Sequence, residues 1–424
     1  MADIKPFRGF LYDRNRVNLP DVVAPPYDVI SPAQQAALYD RHPANITRLI
    51  LGREEDRYSS AAKFYADWKR LGILVRDDAA NLYILAQSFE LPDKRKVERR
   101  GFIAACRLED LGKGSIVPHE KTLSKPKEDR FRLFFATRAM FSQIFSLYRD
   151  TDGVLDPLMR TAMKRPPEFD VESDHVRNRM WRVSDSSIIS SFASYIAGQR
   201  IYVADGHHRY ETALLYRDAM RLRHPNGSGD EPFNYIPMFF TNMTDPGLVI
   251  LPTHRIVHGI AGFDRQDFLS RLDEDFRITP LESLKNLLDS LRARPSGRIG
   301  IVLSDRPGFY LADVRRSAQA PGETGPEVLR DLDVTLLHNL IMNKLLGMTD
   351  EDQVSKRNLD YIRDESEALD AVVSGKAQAA FLLNPTPVEL VRKVAESGLT
   401  MPQKSTYFYP KLLSGTVIYD FGEW

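Results

Sequence analysis

Apolar positions along the chain switch between a period of two and a period near 3.6, so short strands and amphipathic helices are predicted to be interleaved. Residues 82–91 and 98–107 alternate as two extended segments around the charged tip Pro92-Asp93-Lys94-Arg95-Lys96, which reads as a β-hairpin with a solvated turn. Further strands are predicted at 141–148, 199–203, 234–242, 298–304, 308–313 and 378–383. Helices are predicted at 56–71, from about 128, and at 264–274, 281–293, 331–346, 365–374 and 387–396. Ser31-Pro32 opens another helix with a cap and a proline at the first helical position. The elements mix without regular β-α-β alternation and hairpins recur, so the fold class expected is α+β. His224-Pro225-Asn226-Gly227-Ser228-Gly229-Asp230-Glu231-Pro232 has little capacity to build core. A boundary or mobile loop is placed there, giving regions 1–228 and 229–424. A second loop is expected at 319–326, and no internal repeat is visible.

Length and charge narrow the function classes. The 424 residues suffice for two or three domains with sizeable cores. The 58 basic side chains balance 58 acidic ones, so no whole-molecule field favours nucleic acid or an anionic membrane, and neither is expected as a partner. Asp3, Lys5, Arg8, Asp13, Arg14 and Arg16 interrupt the stretch where a signal peptide would be apolar, and no later stretch approaches a membrane span. A cytoplasmic location is expected. The one cysteine, Cys106, follows the apolar Phe102-Ile103-Ala104-Ala105 and reads as a buried, inert thiol.

The densest candidate chemistry is Ala204-Asp205-Gly206-His207-His208-Arg209-Tyr210-Glu211-Thr212-Ala213, a small-residue turn between an apolar strand and a helix. A helix N-terminus presents unpaired N–H groups and a partial positive charge, and Gly206 has no Cβ to keep an anion away from them. Arg209 adds a planar fork for phosphate oxygens, while Asp205 is read as a helix cap or a magnesium ligand. Leu215, Ala219 and Leu222 recur at helical spacing and are read as the apolar stripe of this helix. Turn chemistry alone is equally served by a capped turn with two solvated histidines.

A second group is Pro118-His119-Glu120-Lys121-Thr122 followed by Lys125, Lys127, Glu128, Asp129, Arg130 and Arg132. Glu120 could accept a proton from a substrate hydroxyl, and Lys121 and Arg130 could offset nucleotide charge. Taken alone, this segment is a solvated charged loop. A third group lies in proline-punctuated loops: Leu251-Pro252-Thr253-His254-Arg255, Asn384-Pro385-Thr386 and Met401-Pro402-Gln403-Lys404-Ser405-Thr406. There is no G-x-x-x-x-G-K-[ST], G-x-G-x-x-G, G-x-S-x-G or H-E-x-x-H pattern.

Together with Val23-Ala24-Pro25-Pro26-Tyr27-Asp28-Val29, these motifs resemble the family called domain of unknown function 1015 over nearly the whole chain. The Asp-Gly-His-His-Arg turn is similar to the phosphate-binding turn of the ParB/sulfiredoxin-like superfamily, which includes free-serine kinases. That resemblance implies a ParB/sulfiredoxin-like nucleotide region in the N-terminal half, covered or completed by the C-terminal α+β half. It also implies ATP or ADP with Mg2+ as cofactors. By motif, Glu120 matches the catalytic glutamate of a Pro-His-Glu segment; Glu120 and Asp205 are 85 positions apart, which requires an insertion relative to the compact kinases. Sulfiredoxins carry a cysteine where this chain has His207, so sulfinic acid reduction is disfavoured. No helix-turn-helix pattern accompanies the turn, so DNA binding is disfavoured too.

The reading that results is phosphorylation of a small hydroxylated metabolite, serine-like by resemblance. Glu120, His119 and Asp205 are assigned to catalysis. Gly206, His207, His208, Arg209, Lys121 and Arg130 are assigned to the nucleotide, Asp205 to the metal, and His254, Arg255 and Lys404 to the substrate. A non-catalytic nucleotide sensor or scaffold and a phosphohydrolase stay open as alternatives, as does a homodimer.

Overall fold

The computed structural model describes residues 1–91, 93–120, 122, 124–304, 308–315, 327–330, 332–355 and 357–422. The loop expected at 319–326 and the nucleotide candidate Lys121 lie outside the described residues. The chain forms two compact α+β units. Unit 1 comprises Met1–Pro118, Thr122–Val249 and Pro410–Trp424; unit 2 comprises His119–Lys121 and Ile250–Tyr409.

Unit 1 is built on a nine-stranded mixed sheet. The expected hairpin forms from Leu82–Glu90 and Lys96–Arg107, in register from Tyr83 opposite Ile103 to Glu90 opposite Lys96. Strand Tyr235–Asn242 inserts between Lys96–Arg107, antiparallel to it, and Ile144–Tyr148, parallel to it. Seven of its eight positions are buried, as expected of a strand covered on both faces. This pairing carries unit 1 through to Val249, past the boundary drawn at 228, and the last segment of the chain returns to it.

The sheet continues on one side through Val176–Val183 and Phe169–Ser173, a hairpin that was not assigned from sequence. On the other side it continues through Ile201–Asp205 and Ile116–Val117. A second core gathers Val22, Leu38, Ile46, Trp68 and Phe141 around helices Pro32–Arg41 and Arg57–Arg70. The first of these helices has Ser31 as its cap, as expected, and the structure completes it as a capping box with Gln34 as the reciprocal partner. Cys106 is fully buried and free, and burial raises its thiol above the ordinary range.

Unit 2 is a six-stranded antiparallel sheet in the order Phe276–Leu281, Gly308–Val314, Arg298–Leu303, Ala379–Leu382, His254–Val257 and Leu359–Ile362. Helix Leu284–Arg292 repeats leucine at 284, 287, 288 and 291, the spacing of one helical face. It packs with Glu365–Val373 over Val302, Ala380 and Leu382. The helix expected at 331–346 forms as a short α-turn, Asp333–Leu336, followed by a π-helix, Leu337–Leu345. Such wide turns are rare and cluster at functional sites. No helix among the described residues is long and apolar enough to cross a membrane.

Candidate functional site

The strand Ile201–Asp205 runs between Ile116–Val117 and Ile144–Tyr148, and its register slips between Val203 and Asp205. The slip turns the chain out of the sheet into the 17-residue helix His207–Arg223. Gly206, not Asp205, occupies the N-cap position, with φ at 97°. A Cβ there would stand 2.9 Å from Ile144 Cδ1 and 3.0 Å from Arg209 Nη2, so the turn requires glycine twice over. Behind it, His207 is buried and His208 half-buried at the first two helical positions, where backbone N–H groups lack intrahelical acceptors.

Arg209 is folded back over this turn. Its Nη1 donates to Ser142 Oγ at 2.7 Å and to the Gln143 carbonyl at 2.8 Å, and its Nη2 donates to Asp205 Oδ2 at 2.9 Å. These bonds use three of the five donors of the guanidinium. The other Asp205 oxygen, Oδ1, accepts from Lys411 Nζ at 2.5 Å. Glu211, one turn further along the helix, accepts from Thr122 Oγ1 at 2.8 and 2.9 Å and from Lys127 Nζ at 2.8 Å. The buried face of the helix is Tyr210, Ala213, Tyr216 and Met220, whereas Leu215 and Leu222 are exposed. The expected leucine stripe is therefore the outer face, because helix Ser124–Thr137 packs on the aromatic side.

Lys411 had no signal in the sequence. It stands in the returning C-terminal segment, where two groups clamp its backbone: Arg99 donates to the Pro410 carbonyl, and Gln87 Nε2 donates to the Lys411 carbonyl at 3.1 Å. Gln87 also accepts from Arg99 and donates to Asn178 Oδ1 at 2.8 Å, so three neighbouring strands each contribute one buried polar residue. Arg99 lies 4.4 Å above the Phe145 ring. Burial lowers its pKa to about 9, against the opposing pull of Asp245 and Asp205.

The Ala24-Pro25-Pro26-Tyr27 motif also belongs to unit 1. Burial raises the Tyr27 phenol to about 12, while Arg130 and, more weakly, Arg209 pull it down. Arg130, a nucleotide candidate, is buried 4.0 Å from the Tyr27 ring centre and committed to the Asp129 carboxylate and the Ile50 carbonyl.

The remaining candidates meet in unit 2. Glu120 bridges Met401 in a parallel β-pair, with Met401 N donating to the His119 carbonyl at 2.8 Å. His119 is fully buried, its Nε2 3.1 Å from Thr406 Oγ1. Arg255 donates to the Thr253 carbonyl and, at 3.1 Å, to the carbonyl of Lys404, which adopts φ of 57°. Burial brings Arg255 down to about 10, and Tyr361 and Glu120 partly offset that loss. Its Nε, like Nε2 of His338 on the π-helix, is buried without a hydrogen-bond partner. Burial together with the Arg255 charge drives His338 down to about 3. A cavity of about 20 Å³, room for one water, is lined by Arg255, Thr253, Asp333, Asn384, Thr386 and Ser405.

Thr253-His254-Arg255, expected as loop, instead leads into strand His254–Val257, paired on both sides. Alternation along that strand puts His254 on the opposite face from Arg255. There His254 Nδ1 accepts from Leu383 N at 3.1 Å, and burial lowers the imidazole to about 4. The structure thus brings Glu120, His119, Arg255 and Lys404 together in unit 2, and Asp205, Gly206, His207, His208 and Arg209 together in unit 1.

A search of curated proteins finds no match. Among solved structures, the chain is similar to a conserved hypothetical protein from Pyrococcus furiosus, at 12% identity over 70% of this chain and 90% of that one, with a TM-score of 0.35. It is similar to a free serine kinase in complex with AMP at 13% identity, over 72% and 97% of the two chains, with a TM-score of 0.35. The C-terminally truncated SbnI from Staphylococcus aureus matches at 11% identity over 74% and 85%, with a TM-score of 0.36. The family model described as protein of unknown function (DUF1015) matches residues 4–335, and the chain belongs to that family.

Proposed function

We propose that the protein is a nucleotide-dependent phosphotransferase acting on a small hydroxylated metabolite, with free L-serine as the acceptor to try first. The observation that carries this reading is the Gly206 turn: a left-handed glycine at the mouth of a 17-residue helix, with Arg209 folded against it. Backbone N–H groups there suit phosphate oxygens, and the helix dipole favours negative charge. In this reading unit 1 holds the phosphates of ATP or ADP on the N–H groups of residues 206–209 and on the remaining donors of Arg209.

The acceptor is assigned to Glu120, His119, Arg255 and Lys404. Glu120 takes the hydroxyl proton, the acceptor oxygen bonds to the terminal phosphorus, and the bond to the departing nucleotide breaks with one phosphoryl group transferred. His119 positions the strand carrying Glu120 through its carbonyl and its contact with Thr406. Arg255 and Lys404 supply positive charge for an acceptor carboxylate, consistent with the buried, unpartnered Arg255 Nε.

While Lys411 stays on Oδ1, Asp205 does not fit the magnesium role. Both its oxygens are held by cations, and a Mg2+ bound about 2.1 Å from Oδ1 would lie within about 4.6 Å of the Lys411 ammonium, 2.5 Å from the same oxygen. That repulsion is on the order of 7 kcal/mol at an effective dielectric of about 20.

The test is to incubate the pure protein with ATP or ADP and a panel of hydroxylated amino acids. A phosphorylated acceptor supports the proposal. Free phosphate without acceptor points to hydrolysis, and nucleotide binding without product points to a sensor.

A further inference from the structure

We propose that Lys411 is the cation that meets the nucleotide phosphates at the Gly206 turn, and that Asp205 is its resident counterion, displaced when phosphate arrives. This deepens the proposed function and rests on its reading of the turn. Asp205, Arg209 and Lys411 form one chain of contacts, with Lys411 Nζ at 2.5 Å from Oδ1 and Arg209 Nη2 at 2.9 Å from Oδ2. Two cations thus share one acid at the N-terminus of the helix. An incoming phosphate carries its own negative charge and can take over the Lys411 contact as a charge-assisted hydrogen bond.

The second observation is the cost of holding Lys411 in place. Arg99 is fully buried among core strands, an arrangement that desolvates a charge and costs free energy that hydrogen bonds must offset. Those donors reach Gln87 Oε1 and the Pro410 carbonyl, and Gln87 in turn holds the Lys411 carbonyl. The buried network thus fixes the two backbone positions that aim one lysine side chain, itself only 12% exposed, at Asp205. Arg99 also lies within electrostatic reach of Asp205, adding to the positive potential at the turn. Arg99 and Gln87 are accordingly positioning residues.

Calorimetry on the full chain with ADP and with inorganic pyrophosphate, in chelator and at low ionic strength, tests the assignment. Lys411→Met should weaken both ligands about tenfold or more, the scale of one charged hydrogen bond, and flatten the salt dependence. Lys411→Arg should recover much of that loss. Asp205→Asn should tighten pyrophosphate several-fold, because the internal competitor is gone; weaker binding there would overturn the counterion role. Parental affinity in Lys411→Met would overturn the inference while leaving the turn as the phosphate site. A parent protein that binds neither ligand would overturn the proposed function as well.

Discussion

Gly206→Ala isolates the turn on which the functional reading depends. The residue sits at φ 97°, where an L side chain costs about 1–2 kcal/mol. Its Cβ would meet Ile144 Cδ1 at 2.9 Å, a methyl that can rotate aside, and Arg209 Nη2 at 3.0 Å. That guanidinium cannot swing freely, because Ser142 and the Gln143 carbonyl hold its other end. Weakening its bond to Asp205 adds about 1.5–3 kcal/mol, for a total of about 2.5–5 kcal/mol. For a unit of this size that is a melting shift of roughly 5–20 °C. Trp68 and Trp181 are both buried in unit 1, so tryptophan fluorescence reports its unfolding directly. Gly198→Ala is the internal control: its φ is −84° and an added Cβ approaches nothing closer than 3.7 Å, so it should be neutral or stabilising by about 0.4–1 kcal/mol. Alongside the stability loss, ADP affinity should fall about tenfold or more, since the displaced Arg209 and the new methyl both obstruct the N–H groups. Parental melting and parental ADP affinity in Gly206→Ala would refute the reasoning.

Glu120→Gln should lower turnover roughly a hundredfold and leave nucleotide affinity unchanged, as measured by single-turnover kinetics and calorimetry; parental turnover would remove Glu120 as the base. Arg255→Lys keeps the charge and loses the fork, so the apparent KM for acceptor should rise while kcat holds; an unchanged KM would exclude carboxylate recognition by Arg255. Acid should loosen unit 2: His254 at about 4 and His338 at about 3 are depressed, so their stabilisation is complete above about pH 6.5 and lost as pH falls, while Asp333, raised to about 7, moves the opposite way. The net of one proton is ~1.4 kcal/mol per pH unit between about pH 6.5 and 4, read as amide exchange of Ala379–Leu382. His338→Gln should nearly flatten that slope, and an undiminished slope would contradict it.

Periodicity made most of this fold readable. Helix Arg57–Arg70, the 82–107 hairpin and strand Tyr235–Asn242 fall within a few residues of their expected bounds, because each carries its own burial pattern. The boundary at 228 did not, since a polar loop marks the end of a helix whether or not the sheet continues beyond it. The Leu215 and Leu222 stripe misled for a related reason: a tyrosine- and methionine-rich face packs as well as leucine and looks more polar. At the site, motifs identified residues whose type is demanded locally, such as Gly206 and Arg209. Residues recruited through tertiary structure left no such trace. Lys411 follows 206 positions after Asp205, and Arg99 reads as one more charge in an alternating strand.

The most direct measurement of the central claim is a crystal structure of the protein with ADP bound. The account predicts phosphate oxygens within hydrogen-bonding distance, about 2.7–3.2 Å, of the backbone N–H groups of residues 206–209, with Lys411 Nζ turned from Asp205 to a phosphate oxygen. Phosphates bound elsewhere, with the Asp205 to Lys411 pair intact, would contradict it.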